Sequence, residues 1–175
     1  MPVSTAVPVA EYLRTTYHPD MEYMDGQLLE RSVGERLHGR AQAILAGLLG
    51  AREAERGYEV FTEQRIVIAE RRRYLIPDIG VKAVPYDPVP ILERPDLVIE
   101  ILSPDDTLTA VSKKCSIYHN AGIPAIWVVD PYRKAIYSYG ADGLQLERQT
   151  ALQTELTGPV DFSAVFTELD HSGRR

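Results

Sequence analysis

Residues 96–102, Asp-Leu-Val-Ile-Glu-Ile-Leu, constrain the fold more than any other stretch of this chain. A strand with one wet face alternates apolar and polar side chains, but from Leu97 to Leu102 every side chain except that of Glu100 is apolar. That is the pattern of a central strand covered on both faces, which points to an α/β fold with helices packed against a sheet. A second strand-like stretch, Tyr-Leu-Ile-Pro-Asp-Ile-Gly-Val at 74–81, carries Asp78 in the same way. A carboxylate buried without a partner costs several kcal/mol, comparable to the net stability of a domain, so Asp78 and Glu100 each require one.

The rest of the sequence supplies the layers that such a sheet needs. Asp25-Gly26, between the short runs of residues 21–31, is a hairpin signal. Leu37, Ala41, Ile44, Leu45, Leu48 and Leu49 recur at helical spacing and predict an amphipathic helix from Gly34 to Glu55, ending before Gly57. Strands are expected at 58–68, 76–84 and 96–102, followed by a helix over 107–122 stopped by Gly122, with Pro124 beyond it. Residues 125–130 and 134–140 read as a strand pair, 144–149 as an edge strand and 161–169 as a short helix. A chain of 175 residues, 45% of them hydrophobic, suffices for one core. We expect a partly loose N-terminal arm over 1–19, one domain over 20–170 and a disordered tail at 171–175.

Charge and cysteine content narrow the function classes. A formal net charge of −6 argues against indiscriminate binding of nucleic acid through a basic surface, and leaves room for a local basic cleft. The single cysteine, Cys115, cannot close an intramolecular disulfide, and neither a secretory leader nor an apolar run of about 20 residues is visible. The expectation is a cytoplasmic protein with no membrane partner.

Because side chains alternate along a strand, one carboxylate from each of two adjacent strands can converge at one edge of a sheet. A divalent cation suits such a pair, and hard oxygen ligands select Mg²⁺ or Mn²⁺. Structural roles compete: Asp78 as a turn residue after Pro77, and Glu100 in a buried ion pair with Arg94 or Arg65. His38 borders the apolar stripe of the first helix and reads first as a boundary histidine. Gln64 lies near the same strands as a supporting residue. Arg71, Arg72 and Arg73 offer guanidinium forks to a phosphate backbone, or else form a solvated hairpin tip. Trp127, Tyr137 and Tyr139 read as core or dimer-surface aromatics. The apolar strands over 125–139, ending near a sheet edge, point to a homodimer.

Pro77-Asp78, with Glu100 on the next strand, resembles the PD-(D/E)XK nuclease superfamily, in which a lysine stands two residues beyond the second acidic ligand. That position is Leu102 here. The run Pro-Asp-Leu-Val-Ile-Glu-Ile-Leu-Ser-Pro at 95–104, the pattern K-x-x-x-Y-x-x-A-G-I-P from Lys114 to Pro124, and Trp-Val-Val-Asp-Pro at 127–131 are together similar to the Uma-two family of restriction-endonuclease-like proteins. In that family the lysine has moved onto the following helix, which makes Lys114 its counterpart. The resemblance covers residues 20–140 and implies a mixed central β-sheet flanked by helices. It also implies metal-dependent hydrolysis of phosphodiester bonds in nucleic acid, DNA ahead of RNA. Asp78, Glu100 and the backbone carbonyl of Ile101 would ligate Mg²⁺ (or Mn²⁺), and Lys114 would position the attacking water. Tyr118, with His38 and Gln64, becomes a candidate to support the ligands from behind, although the acidic residue expected just before the histidine is Leu37 here. A catalytically degenerate, dimeric interaction module of the same fold is the alternative. At about 100° per residue, Lys114 flanks the face defined by Val111, Cys115 and Tyr118 at about 70° from its centre, whereas Lys113 lies about 170° away, toward water.

Overall fold

In the computed structural model, which describes residues 6–31, 34–68, 72–87 and 91–171, the chain opens with α1 (Val9–Arg14) and the hairpin β1 (Met21–Met24) and β2 (Gln27–Glu30). Asp25 and Gly26 form the two-residue turn with φ of 49° and 95°, the double positive-φ backbone that suits the twist of a hairpin. A Cβ at Gly26 would also meet the Cβ of Ala6 at 2.9 Å. Two helices, α2 (Arg36–Gly50) and the short α3 (Glu53–Arg56), stand where one is expected, and Gly57 closes the second at φ 71°. Ala41, Leu45 and Leu49 form the buried stripe of α2, while Leu48 faces outward.

Two extended runs follow, and each crosses from one sheet into another. The first consists of β3 (Tyr58–Thr62) and β4 (Ile66–Ile68), where one strand is expected over 58–68. The second consists of β5 (Arg73–Leu75) and β6 (Ile79–Ala83). Because β3 pairs with β6 and β4 with β5, both antiparallel, the two runs make one long hairpin broken in both arms. The breaks fall at residues 63–65 and 76–78. Pro77 sits in such a break, where no ladder hydrogen bond is asked of its nitrogen, and this explains a proline amid apolar strand residues. Opposite it Glu63 turns the chain at φ 52°, and its amide donates to the Asp78 carbonyl at 3.2 Å. The strand expected over 76–84 is therefore β6 alone; residues 76–78 belong to the seam.

After β7 (Leu92–Glu93) come β8 (Leu97–Ile101), α4 (Leu108–Asn120) and β9 (Ala125–Asp130). The chain continues through β10 (Ala135–Gly140), β11 (Gly143–Leu146), β12 (Ala151–Thr154), β13 (Gly158–Asp161) and α5 (Phe162–His171). Among the described residues, β11-β10-β9-β8-β6-β3 form a six-stranded mixed sheet, and β2-β1-β5-β4-β7 a five-stranded one. Within the larger sheet β8 and β9 run parallel, joined by α4. Neither α1 nor the hairpin β12–β13 is announced by the periodicity of the sequence.

Every residue of β8 is buried. Leu97, Ile99 and Ile101 pack with Ala41 and Leu45 of α2 and Val165 and Leu169 of α5; Val98 and Leu102 pack with Val111, Cys115 and Tyr118 of α4. Each fully buried Leu or Ile contributes roughly 1.5–3 kcal/mol, which anchors the central strand from both sides. Alternation then turns Glu100 toward α4. A smaller aromatic cluster, Tyr12, Tyr23 and Tyr74, seats α1 on the five-stranded sheet. Among the described residues no helix is long and apolar enough to cross a membrane.

Candidate functional site

The seam between the two sheets is where the buried charges meet. Asp78 is 3% exposed and sits just ahead of β6. Because Ile79 pairs with Ile99, the next step of the ladder sets Asp78 opposite Glu100, so both carboxylates stand at the same end of the central strands. Asp78 Oδ2 accepts from the Ile101 amide at 2.7 Å; Oδ1 faces Arg31 Nη2 at 3.0 Å and His38 Nε2 at 3.4 Å. Glu100 Oε1 accepts from the Tyr118 hydroxyl at 2.6 Å and lies 2.9 Å from Lys114 Nζ.

Lys114 arrives from α4, whose first turn is capped by the Thr107 hydroxyl accepting from the Ala110 amide. Val111, Cys115 and Tyr118 are buried, Lys113 is exposed, and Lys114 runs along the flank of the apolar face to deliver its ammonium to the seam. There it meets Glu100 and also Glu22 Oε1 at 2.8 Å and the Ile76 carbonyl at 3.3 Å. Glu22 belongs to β1 in the other sheet, and its Oε1 accepts from the Ile76 amide at 2.9 Å. Leu102 is buried in the apolar core under α4, so the ammonium near Glu100 comes from the helix and not from the strand.

Of the residues expected from sequence, Asp78, Glu100, Lys114, His38 and Tyr118 come together; at Ile101 it is the amide that meets Asp78, where the carbonyl is expected as a ligand. The partners of Glu100 are Lys114 and Tyr118, not Arg94 or Arg65; Arg65 lies over the Tyr12 ring at 4.5 Å. His38 lies on the buried stripe of α2, with Nδ1 3.3 Å from Ser103 Oγ. With Nε2 donating to Asp78, Nδ1 accepts from the Ser103 hydroxyl, so the imidazole is a strut behind Asp78. Gln64 donates to the Arg65 carbonyl at 3.3 Å and is not among the residues that line the cleft. Arg72 and Arg73 pair with Asp25 at the hairpin tip, at 3.7 and 2.8 Å; Arg71 lies outside the described residues. Sequence reasoning missed Glu22, Arg31 and Ser103. Glu22 had a signal, a carboxylate in a short strand just ahead of a hairpin turn; Arg31 and Ser103 had none.

These groups line a cleft of about 160 Å³ that holds five carboxylates, Glu22, Glu30, Asp78, Glu100 and Asp106, against two permanent cations, Arg31 and Lys114. Burial pushes the Glu100 carboxyl up to about 7; Lys114 opposes this, and the charges of Asp78 and Glu22 reinforce it. Burial also works against the Lys114 ammonium, but Glu100, Glu22 and Asp78 outweigh it and hold the pKa above its ordinary value. One ammonium among three acids therefore stays charged, and Glu100 is the acid that resists ionising. For Asp78 burial is again the largest influence and is upward, yet the hydrogen bond and charge of His38, with Lys114 and the Ile101 amide, hold it below the usual carboxylate value. His38 is lowered by burial but raised, on balance, by Asp78.

Among the described residues no group of three His, Cys, Asp or Glu side chains forms a ready metal cage; the acids are drawn onto Lys114 and Arg31. The donor set nevertheless fits a hard divalent cation. Its ligands are carboxylate oxygens, and a bound cation would favour the ionised form of Glu100 that burial, with the charges of Asp78 and Glu22, resists.

A family model described as "Putative restriction endonuclease", Uma2, matches residues 9–169. The fold is similar to the crystal structure of a "putative nuclease belonging to DUF820" from Anabaena variabilis ATCC 29413, with a TM-score of 0.80 at 21% identity over 93% of this chain and 99% of that one. A likeness to a chain of the DrdV–DNA complex, with a TM-score of 0.43 at 16% identity over 73% of this chain and 11% of the other, is too slight to establish a shared fold. No curated protein matches the chain. A mixed sheet flanked by helices, matched along almost its whole length by one family model, leaves one assignment: the chain belongs to the Uma2 family, with a restriction-endonuclease-like fold.

Proposed function

We propose that this chain is a metal-dependent nuclease that hydrolyses phosphodiester bonds in nucleic acid, DNA ahead of RNA. The observation that carries this is the Lys114 ammonium held between Glu100 and Glu22 at the seam where Asp78 also stands. Asp78 and Glu100, with the backbone carbonyl of Ile101, are the groups that would hold Mg²⁺ or Mn²⁺, and Glu22 adds a third carboxylate. When bound, the cation supplies Lewis-acid polarisation of the phosphoryl oxygen. The protein's own groups do the rest. The Ile101 amide and His38 keep the Asp78 carboxylate from rotating, and the Tyr118 hydroxyl does the same for Glu100. Lys114, held charged by its neighbours, stabilises negative charge on the phosphate and orients the attacking water. Arg72 and Arg73, paired with Asp25 at the hairpin tip and not among the residues that line the cleft, are the groups we propose to contact the phosphate backbone away from the reacting bond. We also take the protein to be cytoplasmic and a homodimer; the strands over 125–139, β9 and β10, are paired on both sides, so the open edge that supports a dimer is that of β11, where Leu146 is 61% exposed.

One observation favours the catalytically silent module: among the described residues, every buried side-chain polar atom has a hydrogen-bond partner, so the site is satisfied with nothing bound. Incubation with mixed DNA and RNA, with and without Mn²⁺, separates the two. The expected outcome is cleavage that requires Mn²⁺ and is lost in Asp78→Ala. Absence of cleavage under every condition, together with no Mn²⁺ uptake by calorimetry, would assign the chain to the module.

A further inference from the structure

We infer that Arg31 is a built-in counter-ion of the site, paired with Asp78 while no divalent cation is bound and released to a backbone phosphate of the nucleic acid when one is. This rests on the nuclease function proposed above. Arg31 directly follows β2, and its Nη2 lies 3.0 Å from Asp78 Oδ1. His38 approaches the same oxygen at 3.4 Å, while the other oxygen accepts from the Ile101 amide at 2.7 Å. A cation that draws on Oδ1 must displace one of its two donors. His38 is buried, fixed to α2 and braced by Ser103, whereas Arg31 is a long, flexible side chain with 16% exposure. Arg31 is therefore the one that leaves, and repulsion between two positive charges a few ångströms apart drives it out.

The space for that movement exists. Arg31 and His38 form the wall between the cleft and an adjoining cavity of about 320 Å³ that reaches Asp20, Gln42 and Glu63. The destination follows from charge. A polyanion approaching a cleft lined by five carboxylates needs positive contacts, and the cleft offers two permanent cations. Lys114, held between Glu22 and Glu100, serves the phosphate that reacts in the proposed chemistry, which leaves Arg31 for a neighbouring one. The guanidinium of Arg31, which lines both the cleft and the adjoining cavity, has a planar fork that matches a phosphate. Release from Asp78 thus converts an internal neutralising charge into an external phosphate contact. Cation binding and nucleic-acid binding must then strengthen each other, and they do so reciprocally.

The test measures binding rather than turnover. Mn²⁺ is titrated calorimetrically into wild type and Arg31→Met, with Arg31→Gln as the variant that keeps a hydrogen-bond donor to Asp78 should Arg31→Met fail to fold. Binding of a short phosphorothioate DNA duplex is followed by anisotropy with and without Mn²⁺. Loss of the competing charge is expected to tighten Mn²⁺ binding about fivefold or more, the lower end of ordinary coupling between sites, and to abolish the strengthening of DNA binding by Mn²⁺. Mn²⁺ binding in the variant alone, with none in wild type with or without DNA, would leave Arg31 a counter-ion that is never released and would overturn the transfer to phosphate. If wild type binds Mn²⁺ and the variant binds it no more tightly, the inference falls and the nuclease proposal stands. Tighter Mn²⁺ binding with the DNA response intact would overturn the transfer to phosphate. No Mn²⁺ binding in either protein would remove the metal basis of the proposed function, and this inference with it.

Discussion

Glu100 and Lys114 share a proton inventory that pH can read out. Burial lifts the Glu100 carboxyl from 4.5 to about 7, so between those values the folded protein holds a proton that the unfolded chain has released. Stability from this group is complete below about pH 4.5 and falls by about 3 kcal/mol as pH rises to 7. His38, raised by Asp78, acts in the same direction, its share being lost as pH rises through its folded value. Asp78, held below its ordinary value, contributes stability throughout that range and loses it only in acid. Denaturant titrations should therefore find wild type less stable at pH 7.5 than at pH 5.5, and Glu100→Gln should flatten the slope. A wild-type profile that is level or rising would contradict the charge assignment. Tyr118→Phe removes the 2.6 Å bond to Glu100 and should cost about 1.5–3 kcal/mol, as for hydrogen bonds to charged groups, measured at pH 7.5.

At the scale of elements, α4 makes the sharpest distinction, because two adjacent lysines on one helix have opposite fates. Lys114→Ala strands Glu22 and Glu100 without their ammonium and should destabilise the protein by about 3–5 kcal/mol, the cost of breaking a buried pair. Lys113→Ala, on the exposed face, should stay within about 0.5 kcal/mol of wild type. Mn²⁺-dependent cleavage, measured below the melting temperature of each variant, should fall at least about tenfold for Lys114→Ala, roughly 1.4 kcal/mol of transition-state stabilisation, and hardly at all for Lys113→Ala. Equal losses would remove Lys114 from the chemistry. The β1–β2 turn offers a second test at this scale. Gly26→Ala forces a side chain onto φ 95° and against Ala6, so the hairpin that carries Glu22 should loosen, visible as faster amide exchange across β1 and β2.

For the whole molecule, the expected assembly is a homodimer through β11, one of the larger sheet's two outer strands. Light scattering at about tens of micromolar should give twice the chain mass, and Leu146→Lys, a charge on an open edge, should return the monomer. A wild-type monomer at that concentration would dispose of the dimer. What the sequence determined by itself was local. Periodicity set the stripe of α2 and the buried face of α4, and with them the phase of Lys114. An apolar run broken by a single charge marked β8, and made Glu100 a buried acid in need of a partner before any partner was known. What the tertiary structure alone decided lies across the seam. Residues 58–68 and 74–81 read as continuous strands because strand periodicity carries no record of which sheet a residue joins. The break at Pro77 emerges only when β5 and β6 find different neighbours. Arg31 meets Asp78 from 47 positions away, and Glu22 meets Lys114 from the other sheet. No pattern with a period of 2 or 3.6 residues reaches that far; long-range pairing of charge under burial does, and only the folded chain brings those charges together.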